Sequence, residues 1–406
     1  MDISLILLFS GFLVGLYVTW NIGANDAANA MGSSVGAKAI TYKQAIVIAS
    51  VLTFVGATFI GGHVTDTISK GIVDPAFMQD PKIAMVGFIS ALLASGLWIT
   101  FATWKSWPIS TTHSIVGALI GFGLICGGKD VIHWPKVGEI ALSWVISPVF
   151  AGVLAFIIFK FIVKFIFKAK SRKKAAAIAS PFFITLTVAI IFFSFIFKTP
   201  LGSLLQGWKL LIPIFIAIVT ILSLWLWLKR FTRKAGKVES IFRVLQVITG
   251  SYMALSIGAN DVANAMGPVA TIYSIFRTGE LGSKVVVPIW LLLFGGMGIA
   301  LGISTWGYKV IQTIGHKITK LSNTRGFTLE FAAATSVLLA SKLGMPVSTT
   351  HAAVGAVIGV GLAKGLEAVD LRVVKNIVYS WLLTIPVTVL LTIPVYLGLM
   401  KLFGLR

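Results

Sequence analysis

The chain has 406 residues, of which 57% are hydrophobic and only 12% charged, with a mean hydropathy of +0.95. A soluble chain of this length would carry about twice that charge, and the formal charge of +21 fits the Lys and Arg excess of cytoplasmic loops rather than a nucleic-acid footprint. The sole cysteine, Cys126, excludes an intrachain disulfide and any cysteine-based metal site.

Apolar runs predict full membrane spans at about 4–25, 42–62, 138–165, 180–198, 209–229, 241–261, 285–306 and 374–400. The runs are continuous, so they predict helices rather than the alternating strands of a barrel. The first run follows Met1-Asp2 without a basic segment and continues past the length of a leader, which predicts a retained span and not a cleaved signal. Two longer regions, about 83–126 and 327–363, each hold an apolar arm, a polar Pro-x-Ser-Thr-Thr-His break and a second apolar arm. Each is predicted to be a re-entrant helical hairpin with the Ser-Thr-Thr segment at its tip. In the second, Gly344 and Pro346 stop the first arm.

The chain repeats itself. Ile22-Gly-Ala-Asn-Asp-Ala-Ala-Asn-Ala-Met-Gly32 returns about 235 residues later as Ile257-Gly-Ala-Asn-Asp-Val-Ala-Asn-Ala-Met-Gly267, with ten of eleven positions identical. Pro108 to Leu124 returns as Pro346 to Leu362, with twelve of seventeen identical. The motifs keep their order, so two homologous halves are expected. Residues 1–137 form the first repeat core, 138–239 are intervening helices and basic loops, and 240–406 form the second repeat.

With both termini placed outside, nineteen basic residues fall inside, among them Lys38, Lys168 to Lys174, Lys229 to Lys237 and Lys309, against ten outside. The first repeat then starts outside and the second inside. The expected fold is therefore an all-α polytopic membrane protein of two inverted-topology repeats, each with transmembrane helices and a re-entrant helical hairpin. Inverted repeats with broken helices mark secondary transporters, although channels share them.

An Asp at a helix centre costs roughly 2.5–3.5 kcal/mol on insertion scales, and this chain accepts that cost twice. Asn25, Asp26, Asn260 and Asp261 supply hard oxygens suited to a small cation such as Na⁺, or an Asp could carry a proton. The Gly and Ala around them are expected to let backbones approach closely, and to let the helix unwind and free further carbonyls. At the tips, Ser110, Thr111, Thr112 and Ser348, Thr349, Thr350 add hydroxyls to helix N-termini that face an anion with partial positive charge. Capping alone would need one hydroxyl per tip. His113 and His351 are expected to donate to backbone carbonyls, with proton coupling as the lesser alternative. Lys105, Lys342 and Glu330 sit in the hairpin arms; Lys342 could offset anion charge, pair with an acid or snorkel, and Glu330 is either interfacial or a further cation ligand. No nucleotide-binding Gly-x-x-x-x-Gly-Lys-Ser/Thr and no nucleophile–base–orienter set appears, so neither ATP drive nor an enzyme is expected.

The doubled Gly-Ala-Asn-Asp-x-Ala-Asn signature and the doubled Pro-x-Ser-Thr-Thr-His resemble the inorganic phosphate transporter (PiT) family, and the segments Trp290–Gly302 and Gly307–Gly315 resemble it too. The resemblance covers nearly the whole chain outside 165–240. It implies cation-coupled uptake of phosphate, with Na⁺ or H⁺ as driver, a plasma (inner) membrane location and a homodimer. It places the cations and phosphate near Asn25, Asp26, Asn260 and Asp261, and the phosphate cradle at Ser110–Thr112 and Ser348–Thr350. No cofactor and no transition metal is implied beyond the transported ions. Animal relatives carry a long insert between the halves where this chain has a short basic stretch, and some relatives carry sulfate. The expected activity is sodium-driven phosphate import, with proton coupling, sulfate transport or an anion channel as alternatives.

Overall fold

The computed structural model describes residues 2–70, 72–73, 80–196, 206–208, parts of 211–226, 237–281, 285, 287–311, 322–364 and 371–405. Nearly all of them are helical. The first half contains α1 (Ile3–Gly36), α2 (Tyr42–Ile60), α3 (Gly62–Lys70), α4 (Pro81–Trp104), α5 (Thr111–Gly127), α6 (Trp134–Ile162) and α7 (Arg172–Ile196). A π-helical turn, Val163–Phe167, follows α6. The second half contains α8 (Val238–Thr278), α9 (Ile289–Trp306), α10 (Asn323–Lys342), α11 (Thr349–Lys364) and α12 (Leu371–Leu402). Among the described residues, nine helices are long and apolar enough to cross a membrane. The expected span 209–229 is described only in pieces. Most of the basic stretch Lys229–Lys237, together with Lys198, Lys209, Lys284, Lys317 and Lys320, lies outside the described residues.

The hairpins are the pairs α4–α5 and α10–α11, each joined by a turn of six residues before the second helix. The 16 residues of α11 rise about 24 Å, short of the roughly 30 Å hydrocarbon core. The 17 residues of α5 reach spanning length only with the short turn that follows them. α11 is therefore too short to cross alone, whereas α5 with that turn has the length of a span.

The expectation that the Asn-Asp motifs unwind is not met. Residues 22–32 and 257–267 are α-helical throughout, inside single helices of 34 and 41 residues. The small residues are used for packing instead. A methyl on Gly23 would lie 2.0 Å from the Ile299 carbonyl oxygen, and one on Gly258 would lie 2.0 Å from that of Thr53. Likewise Gly302 abuts the Trp20 carbonyl and Gly56 the Leu255 carbonyl. Backbone touches backbone at four places without any break in the i→i−4 ladder.

These contacts come in mirror pairs and cross between the halves. α1 packs on α9 as α8 packs on α2, and α6 covers α11 as α12 covers α5. Gly355 and Gly359 of α11 press on the Pro148 and Gly152 carbonyls of α6; Gly117 and Gly121 of α5 press on the Ile385 and Val389 carbonyls of α12. The helix α3, which hydropathy did not single out, lies against the second hairpin. There the Thr67 hydroxyl donates to the Gly344 carbonyl at 2.6 Å.

Candidate functional site

Each second arm begins directly after its Ser. Ser110 and Ser348 are N-caps, accepting from the His113 amide at 3.1 Å and the His351 amide at 3.2 Å. One hydroxyl per tip thus serves the helix, as capping requires, and two remain. Thr112 donates across to the Val347 carbonyl at 3.0 Å, and Thr350 donates across to the Ile109 carbonyl at 3.0 Å. The two tips hold each other directly, hydroxyl to opposite backbone.

Thr111 and Thr349 face the motif helices. Thr111 donates to Asp26 Oδ2 at 3.1 Å, and Thr349 donates to Asp261 Oδ2 at 3.3 Å. The two Asp carboxyls also meet each other between the tips. Every residue from Asn21 to Ser34 of α1 and from Tyr252 to Ile272 of α8 is buried, so these acids are enclosed by protein. Six hydroxyls, two helix N-termini and two carboxyls therefore converge on one buried place.

The motif asparagines divide into two kinds. Asn25 braces the first turn: its Nδ2 donates to Thr103 Oγ1 at 2.9 Å and to the Trp107 carbonyl at 3.1 Å, while its Oδ1 accepts from the Ile109 amide at 3.3 Å. Asn260 braces the second turn in the same way, through the Val347 carbonyl at 2.7 Å and amide at 3.3 Å. The other pair, Asn29 and Asn264, sits one helical turn on from the acids. Asn29 Nδ2 donates to Asp26 Oδ1 at 2.9 Å and to Thr350 Oγ1 at 2.8 Å. Asn264 Nδ2 donates to Thr112 Oγ1 at 3.3 Å and toward Asp261 Oδ1 at 3.5 Å. A carboxylate can only accept, which fixes the amide orientation in both cases. The opposite atoms, Asn29 Oδ1 and Asn264 Oδ1, are buried and find no donor among the described residues.

Glu330 is fully enclosed on α10 and accepts from Ser33, from Ser34 at 2.7 Å and from Thr249 at 3.0 Å. It is a carboxylate in a cage of hydroxyls. His351 Nδ1 lies 3.3 Å from the Trp144 carbonyl, to which it donates as expected, and its ring stacks on Trp381 at 3.6 Å. His113 packs against Trp144 at 3.8 Å and against His351 at 4.5 Å, with no hydrogen bond to its ring nitrogens among the described residues. Lys342 is half-buried in the last turn of α10. Lys105 is exposed, its Nζ 4.2 Å over the Trp104 ring, outside the tip contacts.

The family model described as the phosphate transporter family matches residues 22–392. The chain belongs to the phosphate transporter family. It is 48% identical over 383 residues to a Thermococcus kodakarensis protein named as a phosphate permease, covering 94% of each. It is 41% identical to the chloroplastic inorganic phosphate transporter 2-1 of Arabidopsis thaliana, covering 94% of this chain and 70% of that protein. A solved structure of a protein named the sodium-dependent phosphate transporter matches with a TM-score of 0.92 at 43% identity, over 98% of this chain and 99% of the other. This phosphate transporter is thus a multi-pass membrane protein with the fold of that neighbour.

The buried cluster between the tips and around Glu330 includes residues that the sequence reading did not single out. Asn29 and Asn264 stand three positions after the acids, the spacing that puts two side chains on one helix face, so their participation was readable from the motif. Ser33, Ser34 and Thr249 around Glu330 carried no such signal, because ordinary buried hydroxyls are common and return to the i−4 carbonyl.

Proposed function

We propose that the protein imports inorganic phosphate together with Na⁺, with the anion held between the two hairpin tips and the cations beside Asp26 and Asp261. Electrostatics require the pairing. Two unit charges 4 Å apart interact by about 4 kcal/mol at an effective dielectric of 20, so phosphate beside two bare carboxylates would be repelled by several kcal/mol. Cations between them reverse that sign. The tip hydroxyls and amide ends then meet the phosphate oxygens.

One observation carries the reading: the mirror-related oxygens of Asn29 and Asn264, buried without a donor next to a carboxylate. Buried acceptors are satisfied in native proteins, and a hard cation satisfies an amide oxygen as a donor does. The Asp26–Asn29 and Asp261–Asn264 pairs each present a carboxylate and an amide oxygen in this way. Glu330 with Ser33, Ser34 and Thr249 offers a further all-oxygen cage on α10 for a cation. The structural neighbour is a transporter named as sodium-dependent, which agrees with this choice of ion.

The test is labelled-phosphate uptake into proteoliposomes under an imposed Na⁺ gradient, a pH gradient or neither. Accumulation that follows the Na⁺ gradient is expected. Accumulation that ignores Na⁺ and follows the pH gradient would replace the cation assignment.

A further inference from the structure

Between Glu139 and Glu239 the chain contains no Asp or Glu. Inside that acid-free stretch, seven cations are packed between Lys160 and Lys174. Lys160 sits on the last turn of α6, Lys164 on the π-helical turn Val163–Phe167, Lys168 and Lys170 in the turn that follows, and Arg172, Lys173 and Lys174 on the first turn of α7. Lys160, Lys164, Lys168 and Lys170 are exposed, and the nearest acid along the chain, Glu139, pairs with Lys136 at the other end of α6. No acid lies within twenty residues of them along the chain.

Their surroundings are apolar and exposed. Ile157 is 57% exposed, Phe161 41% and Phe165 52%, and Ile178 on α7 is 79% exposed. An exposed apolar face on a membrane helix meets acyl chains. The cations follow where that face ends, with Lys160 Nζ 5.5 Å over the Phe156 ring and Lys164 Nζ 5.4 Å over the Phe165 ring. Aromatic rings with cations drawn over them mark the level where acyl chains give way to headgroups. The wide π-helical turn projects Lys164 at that level and starts the bend towards α7.

We propose that this α6–α7 elbow is a binding site for an anionic glycerophospholipid, with the headgroup phosphate held by the lysines and the acyl chains laid against the exposed face of α6. The general Lys and Arg excess of cytoplasmic loops explains why cations stand at this end of the helices. It does not explain their density, the missing acids or the aromatic ledge beneath them. A zwitterionic headgroup would bring a choline cation against uncompensated lysines. A lipid of net negative charge brings only the complement.

The test uses the purified full-length transporter and equal amounts of phosphatidylglycerol and phosphatidylcholine, with bound lipid counted by native mass spectrometry. Wild type is expected to retain phosphatidylglycerol preferentially. The triple variant Lys164→Gln, Lys168→Gln, Lys170→Gln is expected to lose that preference by roughly tenfold or more, while the corresponding triple Arg variant keeps it and Lys129→Gln, at another loop, leaves it unchanged. Equal retention by wild type and the Gln variant would overturn the site. So would release of the lipid by millimolar inorganic phosphate, which would reassign the lysines to the soluble anion.

Discussion

Asn29 of α1 donates its side-chain amide to the Thr350 hydroxyl at the start of α11, 2.8 Å away. The same amide donates to Asp26, so one side chain ties a carboxylate of the first half to the tip of the second hairpin. Asn264 makes the mirror connection from Asp261 to Thr112. An acid of each half is thereby tied, through one asparagine, to the hairpin tip of the other.

This wiring predicts coupled losses. Asn29→Ala is expected to raise the Na⁺ concentration for half-maximal uptake and the phosphate KM together, each by about tenfold, which corresponds to about 1.4 kcal/mol of lost interaction. Uptake kinetics at varied Na⁺ and phosphate check it. A shift in one parameter with the other untouched would show that the two sites are independent.

The acids carry the larger effect. Asp26→Asn or Asp261→Asn keeps the size but removes the charge proposed to hold a cation, and turns one of two accepting oxygens into a donor. Sodium-driven accumulation is expected to fall by about a hundredfold or more, the loss of a few kcal/mol of charge pairing. Near-normal uptake by either variant in proteoliposomes would remove the assignment.

The cross-tip bonds are structural as well as functional. Thr112→Val and Thr350→Val each delete a hydroxyl that serves an opposite carbonyl; the Ile109 carbonyl then loses its cross-tip donor, whereas the Val347 carbonyl keeps Asn260 Nδ2 at 2.7 Å. Thr350→Val is expected to cost about 1–3 kcal/mol, Thr112→Val less, and both to shrink the extra thermal stability that phosphate plus Na⁺ confers. Melting curves with and without both ions measure the two terms separately.

Glu330 separates charge from packing. Glu330→Gln retains the acceptor for Ser33 and Ser34 but gives up the charge and turns the oxygen facing Thr249 into an NH2, to which the Thr249 hydroxyl can accept; it should fold and need more Na⁺ for uptake. Glu330→Ala leaves three hydroxyls without their acceptor and is expected to be less stable by about 2–5 kcal/mol. Equal Na⁺ dependence of Glu330→Gln and wild type would make Glu330 a packing residue.

Much of this architecture is legible in the sequence for physical reasons. Pro-x-Ser-Thr-Thr-His combines a helix stop with an N-cap, so both hairpin tips are placed within a residue or two. Buried acids stand out because bilayers reject them. The continuity of α1 and α8 through the motifs was not legible. Gly and Ala permit both unwinding and close approach, and only the partner carbonyls of Ile299 and Thr53 decide between them. The short helix α3 escaped because it is too polar to register as a span. The division of labour among Asn25, Asn29 and their mates depends on which turn each faces, which is a tertiary fact.

The exchange of α6 and α12 between the two hairpins has a consequence for biogenesis. Gly117 and Gly121 cannot find the Ile385 and Val389 carbonyls they press against until the final helix has left the ribosome and entered the bilayer. The first hairpin must therefore wait, its polar tip unsheathed, through the synthesis of some 250 further residues. Truncations near the C-terminus should for that reason be cleared by quality control as a whole molecule, rather than yielding a transporter that has merely lost its tail.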